Sequence, residues 1–244
     1  FKDNDEAQTH LAEIADAFLF HNRAIQTRCD DSVVRPAMEA IPAPTYLRRS
    51  RGYAPTPVLI PWDTQPILAA GSELKNTFCL TSGKRAFPSH HIGDLKNYET
   101  YAVYQEGIRH FEALFRIAPE VIAHDLHPDY LSTRYAQQRA AEEGQSLVGV
   151  QHHHAHIAAC MAENDVTPGE PVIGLAYDGT GYGTDGTIWG GEVLLSTYTA
   201  FERRFHLRPF PLPGGDLAVK SPWRTALALL HTAGVDWDEG LAPT

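Results

Sequence analysis

Apolar positions change their period several times along the chain, and each change marks an element. Between Asp5 and Asn22, Leu11, Ile14, Phe18 and Leu19 recur at helical spacing, which predicts a helix feeding an extended stretch from Ala24 to Arg28. From Arg35 to Pro66, prolines at positions 36, 42, 44, 55, 57, 61 and 66 exclude long helices and predict strands joined by tight connections. A domain boundary is expected near residues 54–66, with one domain over 1–55 and another over 60–244. Beyond it, Pro66 to Gly71 reads as a buried strand and Asn76 to Leu80 as its hairpin partner. A helix is expected over Tyr98 to Arg116, where Tyr101, Tyr104, Ile108, Phe111 and Leu114 share a face. A strand from Val121 to His124, a helix through Gln138, a strand from Leu147 to Val150 and a helix beginning near His152 continue the alternation. A second hairpin, Val172 to Ala176 with Thr187 to Leu195, turns through the glycine-rich loop from Asp178 to Gly186. Strand–helix alternation with two hairpins predicts a mixed α/β fold, consistent with two hairpin-led lobes facing a cleft.

Composition narrows the function classes. With 43% hydrophobic and 20% charged residues among 244, the chain has ordinary globular usage and length for one large or two small domains. Its formal charge of −10 argues against a whole-molecule grip on nucleic acid. No apolar run reaches the roughly 18 residues needed to cross a bilayer, and the first residues show no signal-peptide pattern, so neither anchor nor leader is expected. Cys29, Cys79 and Cys160 are widely spaced without a CxxC pair, which points to a reducing cytosol rather than a disulfide framework or zinc finger.

Histidine is the unusual residue, with 13 in the chain. In His152-His153-His154-Ala155-His156, residues four apart project from one helix face, so His152 and His156 can reach one metal while His153 points about 100° away. Most histidines are merely solvated or hydrogen-bonded, but four in five residues directly after a buried strand favour a metal. Two imidazoles leave coordination positions open. Asp178, ending an apolar strand, is the nearest carboxylate by sequence logic, divided between metal and phosphate duty. The divalent ion is zinc, iron, manganese or magnesium. Gly179, Thr180, Gly181, Gly183, Asp185 and Gly186 form a loop able to offer backbone N–H groups to a phosphate, though it is neither a Walker motif nor a dinucleotide fingerprint. A plain β-turn is the alternative. Lys75 in the first hairpin turn is either a phosphate neutraliser or a solvated side chain, and Gly214 and Gly215 serve either phosphate binding or chain reversal. His91, Asp94 and His127 lie at strand ends, where they either contact substrate or cap helices. His153 and His154 are left as possible substrate contacts, and no catalytic residue is assigned.

Seven strings carry a further signal: Arg28 to Arg35, Leu47 to Pro55, Leu68 to Thr77, His91 to Asp94, Gln151 to His156, Asp178 to Glu192, and Pro213 to Asp216. Together they resemble the hydrogenase-maturation carbamoyltransferases called HypF, over nearly the whole chain. The resemblance implies that residues 1–55 close a YrdC-like α/β domain that makes carbamoyl-adenylate from carbamoyl phosphate and ATP. Arg35, Arg48, Arg49, Ser50 and Arg51 would there hold phosphates or the adenylate. It implies that residues 60–244 are the first lobe and the start of the second lobe of an actin-like ATPase fold, the fold of the tRNA threonylcarbamoyl transferases. In that subfamily a histidine pair spaced like His152 and His156 binds a metal, and the second-lobe hairpin contacts nucleotide phosphates. The implied reaction carbamoylates the C-terminal cysteine of a partner, HypE, toward the cyanide ligands of nickel–iron hydrogenase. By the same resemblance the chain is an internal piece, with an acylphosphatase-like region and zinc fingers upstream and the rest of the second lobe, including a further metal-binding aspartate, downstream. Competing readings are a small-molecule O-carbamoyltransferase, a phosphotransferase of the same fold, and a non-catalytic metal- or nucleotide-binding module.

Overall fold

The computed structural model describes residues 1–38 and 43–236; residues 39–42, within the proline-punctuated stretch, and 237–244, at the end of the second expected domain, lie outside the described residues. The first helix, α1 (Asn4–Leu11), is capped by Asp3, whose carboxylate accepts from the backbone of Asp5 and Glu6. It stops well before Asn22, and no strand forms over 24–28. The physical reason is that no surface among the described residues covers this face: α1 buries no residue, and Ile14 and Leu19 are 79% and 102% exposed. Isolated helical periodicity does not sustain a helix without a face to bury. Two short antiparallel strands follow, β1 (Val33–Arg35) and β2 (Thr45–Arg48).

Strand β3 (Val58–Ala69) begins earlier than the strand expected from Pro66, because its first residues pair back onto the far end of β4 (Cys79–Pro88). The prolines at 61 and 66 fall where this pairing shifts register, the places a strand tolerates a missing donor. Helix α2 (Tyr98–Phe115), strand β5 (Val121–Asp125), helix α3 (Leu131–Glu143) and strand β6 (Ser146–Val150) fall where the periodicity puts them. The sheet order is β4-β3-β5-β6, antiparallel at β3/β4 and parallel from β3 to β6. Leu68, Leu80 and Ile122 meet Phe78, Tyr104, Ile108, Phe111 and Ala136 in one core. Each large apolar side chain so buried contributes roughly 1.5–3 kcal/mol.

Helix α4 (His152–Glu163) leads into the second lobe, where Ile157 and Met161 pack on Ala176 and Leu194. Its sheet runs β11-β10-β7, all antiparallel, from β7 (Val172–Ala176), β10 (Glu192–Ser196) and β11 (Phe201–His206). The single strand expected over Thr187 to Leu195 is instead two. β9 (Ile188–Trp189) closes a small hairpin with β8 (Gly181–Tyr182), and β10 restarts after Gly190-Gly191. The break has a steric cause: a Cβ on Gly190 would lie 2.7 Å from the Gly179 carbonyl oxygen, and Gly191 has φ 71°. Helices α5 (Asp216–Lys220) and α6 (Pro222–Ala233) pack on each other, with Gly234 ending α6 in a left-handed cap.

Candidate metal centre

The site lies beyond the carboxyl ends of β5, β6 and β7, where open α/β sheets leave room for ligands. Gln151 builds its frame as the N-cap of α4, its side-chain oxygen accepting from the His154 backbone N–H at 2.9 Å. The helical start sets His152 and His156 on one face with their Nε2 atoms 3.2 Å apart. Asp178, two residues past β7, brings Oδ2 to 3.2 Å from His152 Nε2 and 3.8 Å from His156 Nε2. The three ligand atoms lie within 4.8 Å of one another, the one such cluster among the described residues. Donors about 2.0–2.2 Å from a common ion have neighbouring edges of about 2.8–3.6 Å in octahedral or tetrahedral arrangements. Asp178 Oδ2 is buried without a hydrogen-bond partner, which a cation would supply. The residues therefore fit a divalent metal, with two imidazoles and one carboxylate on one side.

Asp125 is the residue that the sequence pattern left unassigned. Its Oδ2 lies 2.7 Å from His152 Nδ1, and its Oδ1 accepts the His127 backbone N–H at 2.8 Å. This carboxylate–histidine pairing holds Nδ1 as the donor and turns the Nε2 lone pair toward the cluster. The hydrogen bond with Asp125 raises the His152 pKa above its ordinary value, against the opposing effect of burial. Two carboxylates thus call for positive charge at this imidazole, the same demand that a bound dication meets. A sequence signal existed: Asp125 ends β5, and parallel pairing places it beside Val150, two residues before His152.

His153 is fully buried, and burial lowers its pKa. Its Nε2 lies 3.1 Å from Asp178 Oδ1. His154 turns toward the second-lobe sheet, with Nε2 2.8 Å from the Thr197 carbonyl oxygen and its ring against Phe201. His127 stacks on Tyr130 at 4.1 Å and approaches Tyr182 at 5.2 Å, and its backbone N–H binds Asp125.

The glycine-rich loop divides into packing positions and open ones. A Cβ on Gly181 would meet the His153 ring at 2.5 Å, and one on Gly183 would run into Trp189. Gly186 takes a left-handed turn conformation at φ 78°. Asp185 stabilises that turn, its Oδ1 accepting from Thr187 N, Thr187 Oγ1 and Trp189 Nε1, bonds that lower its pKa. Gly181, Gly183 and Asp185 are thereby occupied by structure, while Gly179 and Thr180 stand exposed directly after Asp178. Glu192 is buried and pairs with Arg203 at 2.6 and 2.8 Å, beneath a guanidinium stacked 4.0 Å over Trp189.

The remaining candidates lie on other elements. Lys75 acts electrostatically on His91, as does Arg48, so these three belong to a neighbourhood where the N-terminal segment meets the first lobe. Arg49 donates to the carbonyls of Pro88, Tyr53 and Thr56, Ser50 is fully buried against the His91 N–H, and Arg51 pairs with Asp31. Arg49, through Pro88, and Ser50, through His91, tie the segment to the first lobe, while Arg51 pairs within the segment. Arg35 and Arg48 are exposed. Asp94 accepts from the Lys96 backbone, and α2 is capped by Asn97 instead. Gly214 and Gly215, with φ 86° and 56°, turn the chain into α5.

Residues 63–163 match the family described as HypF Kae1-like domain, and residues 174–243 the one described as carbamoyltransferase, Kae1-like domain, second subdomain. Carbamoyltransferase HypF2 of Cupriavidus necator is 51% identical over 231 residues, covering 95% of this chain and 28% of that protein. Carbamoyltransferase HypF of a Synechocystis species is 48% identical over 229 residues, covering 93% and 29%. The crystal structure of a full-length HypF in the phosphate- and nucleotide-bound form superposes with a TM-score of 0.86 at 51% identity, over 94% of this chain and 35% of that one. That of T. kodakarensis HypF gives 0.85 at 42% identity, over 95% and 30%. The chain spans under a third of the length of these curated relatives. It belongs to the HypF family, and the lobes that meet at His152, His156 and Asp178 have its Kae1-like, actin-like ATPase fold.

Proposed function

We propose that the chain carries the carbamoyl-transfer centre of an enzyme of [NiFe]-hydrogenase maturation. The substrates in this reading are carbamoyl phosphate and ATP, joined as carbamoyl-adenylate, and the acceptor is the C-terminal cysteine of a HypE-type protein in the cytoplasm. The observation that carries it is the convergence of His152, His156 and Asp178 around an unpartnered carboxylate oxygen, in a chain whose relatives are named carbamoyltransferases.

In this reading His152 Nε2, His156 Nε2 and Asp178 Oδ2 hold the metal, and Asp125 fixes the tautomer of His152. Bound there, a dication supplies Lewis-acid charge for the carbamoyl carbonyl or the departing phosphate. Gly179 and Thr180 present backbone N–H groups to phosphate oxygens beside it. His127 and Tyr182 wall the reacting group on the β5 side. The acceptor thiolate forms the S–C bond as the bond from the carbamoyl carbon to AMP oxygen breaks, and the thiol proton passes to solvent. No cysteine of this chain is needed as nucleophile, and burial pushes the Cys79 thiol up to about 12, which keeps it protonated. In the N-terminal segment, read as the end of a YrdC-like domain over 1–55, Arg35 and Arg48 are the exposed members of the expected adenylate-binding set.

The test uses the full-length enzyme. His152→Ala and His156→Ala are each expected to cut carbamoyl labelling of the acceptor cysteine by about 100-fold or more, since metal charge stabilisation is worth several kcal/mol. Unchanged labelling in both variants sinks the assignment.

A further inference from the structure

His153 is the one histidine of the cluster that neither ligates nor touches solvent, and its surroundings determine which ring nitrogen carries the proton. The Gln151 amide is oriented from two sides. Its Oε1 accepts the His154 backbone N–H at 2.9 Å, a role only the oxygen can fill. Its Nε2 then lies 3.3 Å from the Tyr182 carbonyl oxygen and 3.0 Å from His153 Nδ1. An amide NH2 facing Nδ1 requires a lone pair there, so the neutral ring carries its proton on Nε2. That Nε2 lies 3.1 Å from Asp178 Oδ1 without making a hydrogen bond to it, so both His153 Nε2 and Asp178 Oδ2 are buried atoms that lack a partner. Gly181 leaves the room for the ring, since a Cβ there would meet His153 Cε1 at 2.5 Å.

We propose that Gln151 and His153 form a buried positioning relay: Gln151 sets the tautomer of His153, whose Nε2–H holds Asp178 Oδ1 and leaves Oδ2 directed at the metal. The inference rests on the metal reading above. It gives Asp178 the same kind of support that Asp125 gives His152, one buried partner for each of these two of the three ligands. Such partners typically change metal affinity by about 10–100-fold.

The experiment uses the 244-residue chain and two measurements. Long-range 1H–15N spectra of histidine-labelled, metal-free protein read the tautomer of His153, identified by its loss in His153→Gln. The Nε2–H form is expected; an Nδ1–H form or an imidazolium overturns the relay. Titration with Co(II) alone, followed by visible absorption, reads affinity and ligand geometry. His153→Leu is expected to weaken Co(II) binding about 10–100-fold. His153→Gln, whose amide N–H falls near the position of Nε2–H, is expected to restore most of it. Equal affinity and spectrum for His153→Leu and the parent overturn the relay. Should His153→Leu not fold, Gln151→Glu serves: its carboxylate keeps the helix cap but draws the proton to Nδ1, so tautomer and Co(II) affinity should change together. Retention of the parent tautomer and affinity in that variant overturns the relay. Absence of Co(II) binding at this centre in both the 244-residue parent and the full-length enzyme refutes the metal reading, and the tautomer still decides the relay.

Discussion

The N-terminal segment and the α4–Asp178 region both carry dense runs of chemically suggestive side chains, and they use them in opposite ways. Around α4, groups distant in sequence converge with their functional atoms inward: Asp125 on His152, and Asp178 facing three histidines. In the first 57 residues, Arg49 spends its guanidinium on three carbonyl oxygens, Arg51 faces Asp31 and Ser50 is buried. An unsatisfied buried atom marks a site where ligating groups converge on it, as at Asp178 Oδ2; Arg28 Nε is also unsatisfied, but no such cluster surrounds it among the described residues. Where neighbours consume every donor, the same residue types are fasteners.

The comparison breaks most visibly at Asp125. Asp125→Asn keeps the shape but removes the charge that holds His152 Nδ1–H, so metal affinity of the chain should fall about 10–100-fold while the fold persists. Metal titration by calorimetry, with circular dichroism as the fold control, checks it. An unchanged affinity would make Asp125 a helix-and-loop brace through His127 alone. The contrast also shows what local pattern reveals. The 3.6-residue period was enough to put His152 and His156 on one face, and the end of an apolar strand was enough to single out Asp178. Asp125 escaped because its contact spans 27 residues and depends on the parallel register of β5 with β6. The inward turn of His153 escaped for a similar reason: a position 100° off the ligand face acquires meaning only when Gly181 and Gln151 are known to lie against it. The break of the last expected strand at Gly190-Gly191 likewise comes from a backbone crossing that no strand pattern records.

Arg49 sharpens the other side. Truncation to alanine removes three charge-assisted bonds to Pro88, Tyr53 and Thr56, so Arg49→Ala should cost about 1–2 kcal/mol of stability. Metal affinity should be untouched, because none of these contacts reaches the cluster. Denaturant unfolding and Co(II) titration on the same preparation separate the two. A loss of affinity at constant stability would reverse the division between fastener and site.

The smallest effect is expected at Leu19, and it tests why the first helix ends where it does. The helical spacing of Leu11, Ile14, Phe18 and Leu19 promises an apolar face, yet α1 ends at Leu11 and Leu19 is fully exposed. If that face has no partner within these 244 residues, Leu19→Ser removes no buried area and the unfolding free energy should move by less than about 0.5 kcal/mol. A buried leucine such as Leu68 would lose several times more under the same change. Denaturant melts of Leu19→Ser at two protein concentrations decide between the alternatives. A loss above about 1 kcal/mol would mean that the segment packs in solution, and the contrast between a converged site and an unpartnered segment would then narrow to their polar groups.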